Sequence, residues 1–224
     1  MTGICEPYIV DYLRGLYSDQ DPFLLSLEEY AARYEVPIIE RESLALLELM
    51  VNLKNPKRIL EIGTAIGYST IAMAKISSNV IIDTIDIDEE NLSVAQLNIA
   101  EAGYDNRIFL HYGDASDVLD NLKEKYDMVF IDAAKSHYRE YFDKCLNLVN
   151  DNALIISDNV LFKGLIANDE LVNRRARTLV RAMRNYLEFL THTKGLSTSV
   201  LPVGDGVAIT KIDLKELEIE PERK

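Results

Sequence analysis

Ile59-Leu60-Glu61-Ile62-Gly63-Thr64-Ala65-Ile66-Gly67-Tyr68-Ser69 is the stretch on which the fold turns. A short apolar run ends in an acid and a glycine loop, after which helix-like spacing resumes; this is the pattern of a buried strand turning into a helix. Gly63 and Gly67 allow a tight turn and a close approach of backbone to ligand. The spacing is not the GxGxxG dinucleotide fingerprint, so a nicotinamide or flavin site is disfavoured.

Two further apolar runs end on acids, Val129-Phe130-Ile131-Asp132 and Ile155-Ile156-Ser157-Asp158-Asn159. Between these landmarks, strands near 58–62, 80–86, 107–111, 127–131 and 152–157 alternate with helices near 69–77, 89–102, 116–124, 138–149 and 168–192. That alternation predicts an α/β fold with a mostly parallel, doubly wound sheet. Three helices precede it, at about 4–18, 22–34 and 40–53, with Leu44, Leu47 and Met50 on one face of the third. Asn55-Pro56 closes this helical region of about 55 residues. Two strand candidates at 196–203 and 207–213 flank Gly204-Asp205-Gly206 and predict a C-terminal antiparallel pair.

With 224 residues, 48% of them apolar, the chain can bury a sizeable core as a single domain spanning 1–224. Its net charge of −13 argues against indiscriminate nucleic-acid binding, and DNA is not expected as a partner. Cys5 and Cys145 give no disulfide framework, and no N-terminal apolar segment has signal-peptide or membrane-spanning length. The expectation is a cytoplasmic protein with no membrane partner.

Ligands of open α/β sheets bind at the carboxyl ends of the strands, which is where these acids fall. Asp86, at the end of the second strand, suits ribose hydroxyls. In Gly113-Asp114-Ala115, Asp114 can accept the amino group of an adenine while Ala115 leaves room for the ring. An isolated glycine turn is equally well a structural element, but three such signals in order indicate a nucleotide-like cofactor. Asp132, Asp158 and Asn159 together offer three oxygens to a hard cation such as Mg2+, although a single strand-end Asp is as often a helix cap. Lys135 lies three residues beyond Asp132 and could act at a proton-transfer step there. Without the metal it would be an ordinary solvated lysine.

These motifs resemble the magnesium-dependent S-adenosylmethionine O-methyltransferases that include the catechol and caffeoyl-coenzyme A enzymes. The resemblance runs from about residue 35 onward and rests on LEIGTAIGYS at 60–69, Asp86, YGDA at 112–115, FIDAAK at 130–135 and SDNV at 157–160. It implies a Rossmann-like class I methyltransferase sheet. It also implies a cofactor site of Glu61, Gly63, Tyr68, Ser69, Asp86 and Ala115, with Thr64, Gly67, Asp114 and Asp132 beside them. Asp132, Asp158 and Asn159 are then the Mg2+ ligands, and Lys135, with Asp132, is catalytic. The chain has no tryptophan, so the one that flanks the catechol pocket in that family is missing.

A narrower resemblance, carried by DNVLFKGL at 158–165 and LPVGDGVAIT at 201–210, is to the bacterial tRNA 5-hydroxyuridine methyltransferases. It implies a homodimer acting at the wobble position in the tRNA anticodon region and forming 5-methoxyuridine. Val160 to Arg184 holds six Lys or Arg against two Asp or Glu. On one helix Arg174, Arg177, Arg181 and Arg184 would share an arc of about 80°. With Lys163 and Arg175 they are candidate RNA-binding residues; the bland reading is a basic face that pairs with nearby acids. A small catechol or phenolic acceptor is the alternative function, and a non-enzymatic nucleotide-binding protein is a third.

Overall fold

The computed structural model describes residues 4–16 and 21–219. Three helices come first: α1 (Pro7–Leu16), α2 (Pro22–Tyr34) and α3 (Arg41–Lys54). The end of the first expected helix, at 17–18, lies outside the described residues. Helix α2 begins where Asp21 accepts a hydrogen bond from Phe23 N at 2.7 Å and Pro22 supplies a fixed φ. Asn55 ends α3 in the left-handed conformation.

Strands and helices then alternate as β1 (Arg58–Ile62), α4 (Tyr68–Ile76), β2 (Ile81–Asp86), α5 (Glu89–Glu101), β3 (Ile108–Tyr112), α6 (Ala115–Asn121) and β4 (Tyr126–Ile131). They continue with α7 (Tyr138–Leu146), β5 (Val149–Ser157), α8 (Arg177–His192), β6 (Leu196–Leu201) and β7 (Val207–Ile212). The seven strands form one sheet in the order β3-β2-β1-β4-β5-β7-β6. The first five pair in parallel, and β7 runs antiparallel to both β5 and β6. This is the Rossmann-like class I methyltransferase sheet with its N-terminal helices and C-terminal antiparallel pair.

The central strands are apolar on both faces because helices cover both. Ile59, Met128, Phe130 and Ile156 pack with α2–α5, while Leu60, Ile62, Val129, Ile131 and Ile155 pack with α6–α8. Burying such side chains is worth about 1.5–3 kcal/mol each. Register then brings the three acid-bearing strand ends into line. Ile62 pairs with Ile131, and Ile131 pairs with Ser157. The ladder runs one residue further, with Asp132 N donating to Ile62 O and Asp158 N donating to Ile131 O, both at 2.9 Å.

The long helix expected at 168–192 is two elements. A 3₁₀ turn covers Asp169–Leu171, and α8 starts only at Arg177. Asn168 Oδ1 accepts from Glu170 N, and Asn173 Oδ1 accepts from both Arg175 N and Ala176 N, at 2.9–3.0 Å. These side chains take the amides that a continuous helix would use. The segment expected as helix to 149 is instead α7 to Leu146 followed by β5 from Val149. Among the described residues, no helix is long and apolar enough to cross a membrane.

Candidate active site at the carboxyl ends of the strands

A cavity of about 570 Å³ opens at the carboxyl ends of β1, β2, β3 and β4. It lies at the switch in strand order between β1 and β4. Of the residues expected to hold the cofactor, Gly63, Thr64, Tyr68, Ser69, Asp86, Asp114, Ala115 and Asp132 line it. The glycine loop is held by the neighbouring strand. Gly63 N donates to Ile85 O at 2.9 Å, and Asp86 Oδ2 accepts from Ala65 N at 2.7 Å. Ala65 is held in the left-handed conformation, at φ 44°. Asp86 thus fixes the loop with Oδ2 while its Oδ1 accepts from Asp88 N at 3.0 Å, and it faces the cavity.

Gly63 cannot be any other residue without rearrangement. A Cβ built there would stand 1.9 Å from Asp132 O, and its φ is +109°. Gly67 does not line the cavity; it starts α4 at φ 83° and packs against Ala95. Glu61 is also outside the cavity wall and fully buried. Its carboxylate accepts from Ser69 Oγ at 2.6 Å, from Thr84 Oγ1 at 2.7 Å and from Thr70 Oγ1. Burial raises its pKa to about 7 against the opposing pull of these three hydroxyls. Asp114 caps α6 by accepting from Ser116 N at 2.8 Å, which leaves Ala115 in the first turn against the cavity.

Beside the glycine loop, Asn159 Nδ2 donates to Asp132 Oδ1 at 2.8 Å, and Asn159 N donates to Asp158 Oδ1 at 2.8 Å. Asn159 is left-handed at φ 57°, which turns its amide back toward Asp132. Asp132 and Asn159 line the cavity; Asp158, 2% exposed, stands behind its wall. Burial raises the pKa of both carboxyls, that of Asp158 to about 8 with the Asp132 charge adding to the effect. The Lys135 charge opposes the rise at both. Lys135 starts a 3₁₀ turn (Lys135–His137), lines the cavity, and holds Nζ 5.9 Å from the centre of the Phe162 ring.

A buried carboxylate, Asp158, and a half-buried one, Asp132, with an amide between them and each acid resisting ionisation, form an oxygen-only donor set that a hard divalent cation would neutralise. Among the described residues no group of three or more His, Cys, Asp or Glu is arranged to hold a metal. A cation here would draw its remaining ligands from the amide, water and substrate oxygens.

Sequence reasoning missed the far wall. Pro37, Ile38, Ile39 and Glu40 between α2 and α3 close the cavity, joined by Asn91, His137 and Tyr141. The apolar Pro-Ile-Ile run outside any helix was the available signal for the first of these. His137 and Tyr141 stack with ring centres 5.8 Å apart, but nothing in their spacing marked them.

The basic segment does not form the stripe expected of it. Arg174 and Arg175 precede α8, so they do not share its helical face with Arg177, Arg181 and Arg184. Arg184 is engaged internally, its Nε donating to Ile166 O at 2.8 Å and its Nη1 pairing with Asp169 at 2.7 Å. None of these arginines, nor Lys163, is among the residues lining the cavity.

Comparison with known proteins fits this geometry. The family described as O-methyltransferase matches residues 16–212. A catechol O-methyltransferase of Niastella koreensis is 36% identical over 165 residues, covering 70% of this chain and 75% of that one. A Staphylococcus aureus structure provisionally assigned as a caffeoyl-CoA O-methyltransferase superposes with a TM-score of 0.86 at 35% identity, covering 92% of this chain and 99% of the other. A Bacillus cereus O-methyltransferase solved with S-adenosylhomocysteine gives 0.81 at 28% identity, with 92% and 97% covered.

Two of these relatives are named for catechol and caffeoyl-CoA, which overturns the expectation of tRNA 5-hydroxyuridine as acceptor and of RNA as partner. The expected homodimer rested on the same narrower resemblance and loses that support. The LPVGDGVAIT and DNVLFKGL motifs have a packing role in this chain, since the turn of one holds the loop of the other through Val160 N to Gly206 O and Leu161 N to Asp205 O, both 2.9 Å. The chain belongs to the O-methyltransferase family and is an S-adenosylmethionine-dependent enzyme of that family.

Proposed function

We propose that the chain methylates one hydroxyl of a small catechol-like phenol, with Mg2+ held by Asp132, Asp158 and Asn159. The observation that carries this reading is the pair of carboxylates at the cavity's edge, bridged by Asn159 through its side-chain amide to Asp132 and its backbone N–H to Asp158, with the Lys135 charge acting on both. An acceptor with two adjacent oxygens suits such a centre, because both can approach the same oxygen-lined corner.

Each residue then has a task. Asp86 accepts hydrogen bonds from the ribose hydroxyls of S-adenosylmethionine; Asp114 and Ala115 receive the adenine; Gly63 and Thr64 let the methionine end lie against backbone. Glu61 is a positioning residue, fixing Ser69 and Thr70 at the start of α4. Lys135 Nζ attends the departing hydroxyl proton and steadies the oxyanion. Ile38 and Ile39 exclude water from the reacting end. When bound, the cation supplies Lewis acidity that lowers the hydroxyl pKa, and the sulfonium supplies the electrophilic methyl. The acceptor oxygen gives up its proton by way of Lys135 Nζ to solvent and forms a C–O bond as the C–S bond breaks, leaving the methyl ether, S-adenosylhomocysteine and one released proton.

The test offers methyl-labelled S-adenosylmethionine with a 3,4-dihydroxyphenyl acceptor and with its 4-hydroxy counterpart, each with Mg2+ or with excess chelator. Label should enter the dihydroxy compound alone and only with Mg2+. Equal labelling of both acceptors, or labelling undiminished by chelator, would refute the reading.

A further inference from the structure

At the opposite end of the sheet from the cavity just described, the starts of β1, β2 and β4 surround a second depression of about 630 Å³. Lys54, Lys57, Arg58, Lys123 and Lys125 line it against only Glu124 and Asp127, in a chain whose net charge is −13.

The acids there are already engaged. Asp127 Oδ2 accepts from Lys57 N at 2.8 Å and Arg58 N at 3.3 Å, and its Oδ1 accepts from Asn150 Nδ2 at 2.8 Å. Glu124 pairs with Arg58 Nη1 at 2.8 Å, while Arg58 Nε pairs with Asp83 at 3.0 Å. Arg58 is therefore shared between two carboxylates, and what remains is four lysines.

Two of these ammonium groups donate to backbone carbonyls, and of the two Lys54 also feels the Asp127 charge. Lys54 Nζ donates to Asn152 O at 2.7 Å, and Lys125 Nζ donates to Asn147 O at 2.8 Å. An ammonium has three donors, so each keeps two for a ligand. Favourable placement at a helix C-terminus accounts for Lys54 in the last turn of α3, but Lys57, Lys123 and Lys125 lie outside any helix. Like charges gathered around one depression repel, and a multivalent anion relieves that repulsion better than several separate monovalent ions.

We propose that this depression binds a small multivalent oxyanion of the di- or triphosphate class. Lysines grip phosphate oxygens as point charges, without the planar fork by which arginine selects a single oxyanion geometry. Such a ligand would sit at the amino ends of the strands, at the other end of the sheet from the methyl-transfer cavity, so it would not compete with S-adenosylhomocysteine.

Inorganic tripolyphosphate titrated calorimetrically into the intact protein tests this. The double variant Lys57→Ala/Lys123→Ala should weaken binding at least tenfold, whereas Arg177→Ala/Arg181→Ala, which removes the same charge from α8, should change it less than twofold. Raising the salt should weaken wild-type binding more steeply than that of the lysine variant. S-adenosylhomocysteine affinity, measured on every sample, should stay constant and certify the fold. No tripolyphosphate binding by wild type, or equal weakening in both double variants, would overturn the proposal.

Discussion

Glu61 places an acid whose pKa is about 7 in the middle of the sheet, and this has a sign that can be measured. An acid whose pKa rises on folding, here from its ordinary value near 4.5, binds a proton more tightly folded than unfolded. Its stabilising contribution is therefore complete below about pH 4.5 and is lost as pH climbs through 7. Urea unfolding across this range should show wild type losing stability relative to Glu61→Gln as pH rises; parallel profiles would mean that folding leaves the carboxyl's pKa where it is in the unfolded chain. At this scale much was legible in the sequence. Gly63, Asp86, Asp132 and Asn159 were singled out by residue type and position at strand ends, and all four line the cavity. Glu61 was read as a direct cofactor contact, yet it stands behind the wall, because period-2 patterning tells which face of a strand a residue takes but not how far its side chain reaches.

At the level of elements, the loop after β5 shows how a distant hairpin shapes the site. Asn159, Phe162 and Lys163 are left-handed at φ 57°, 46° and 55°, and Gly164 follows at 75°. The turn between β6 and β7 holds them there. Lys163 N donates to the Asp205 carboxylate, and Gly206 lies so close to Leu161 that an added Cβ would come within 2.3 Å of it. Left-handed backbone at non-glycine residues costs on the order of 1–3 kcal/mol each and persists only where its surroundings impose it. Asp205→Ala should therefore release the loop that carries Asn159 and Phe162. The acceptor KM should rise several-fold with S-adenosylhomocysteine affinity unchanged, and Asp205→Asn, which keeps an acceptor oxygen, should restore most of it. A KM left as in wild type would remove Asp205 from the positioning of the site. The strand–helix alternation was readable because buried strands and amphipathic helices carry different periods. The break before α8 was not, because Asn168 and Asn173 act through local side-chain hydrogen bonds that periodicity does not register.

For the whole molecule, the sheet does the decisive work by register. Ile62, Ile131 and Ser157 stand side by side, so the residues that follow them, Gly63, Asp132 and Asp158, come from three distant parts of the chain to one place. The strand ends announced a cofactor and an oxygen cluster, but the acceptor wall depends on the stretch between α2 and α3 folding over the sheet, a tertiary fact with only a weak local signature. The basic segment misled for the complementary reason: charge counted along a sequence does not say which arginines share a face. The central claim is that the paired acids at the ends of β4 and β5 carry the methyl-transfer chemistry. It is tested most directly by kcat/KM for a dihydroxyphenyl acceptor at saturating Mg2+ in wild type and in Asp158→Ala. Asp158 lies outside the cavity wall, so acceptor shape is left alone while one charge of the pair is removed. A fall of roughly 100-fold or more, about 2.7 kcal/mol of transition-state stabilisation, is the result the account predicts, with S-adenosylhomocysteine affinity intact. An unchanged kcat/KM in the folded variant would contradict it.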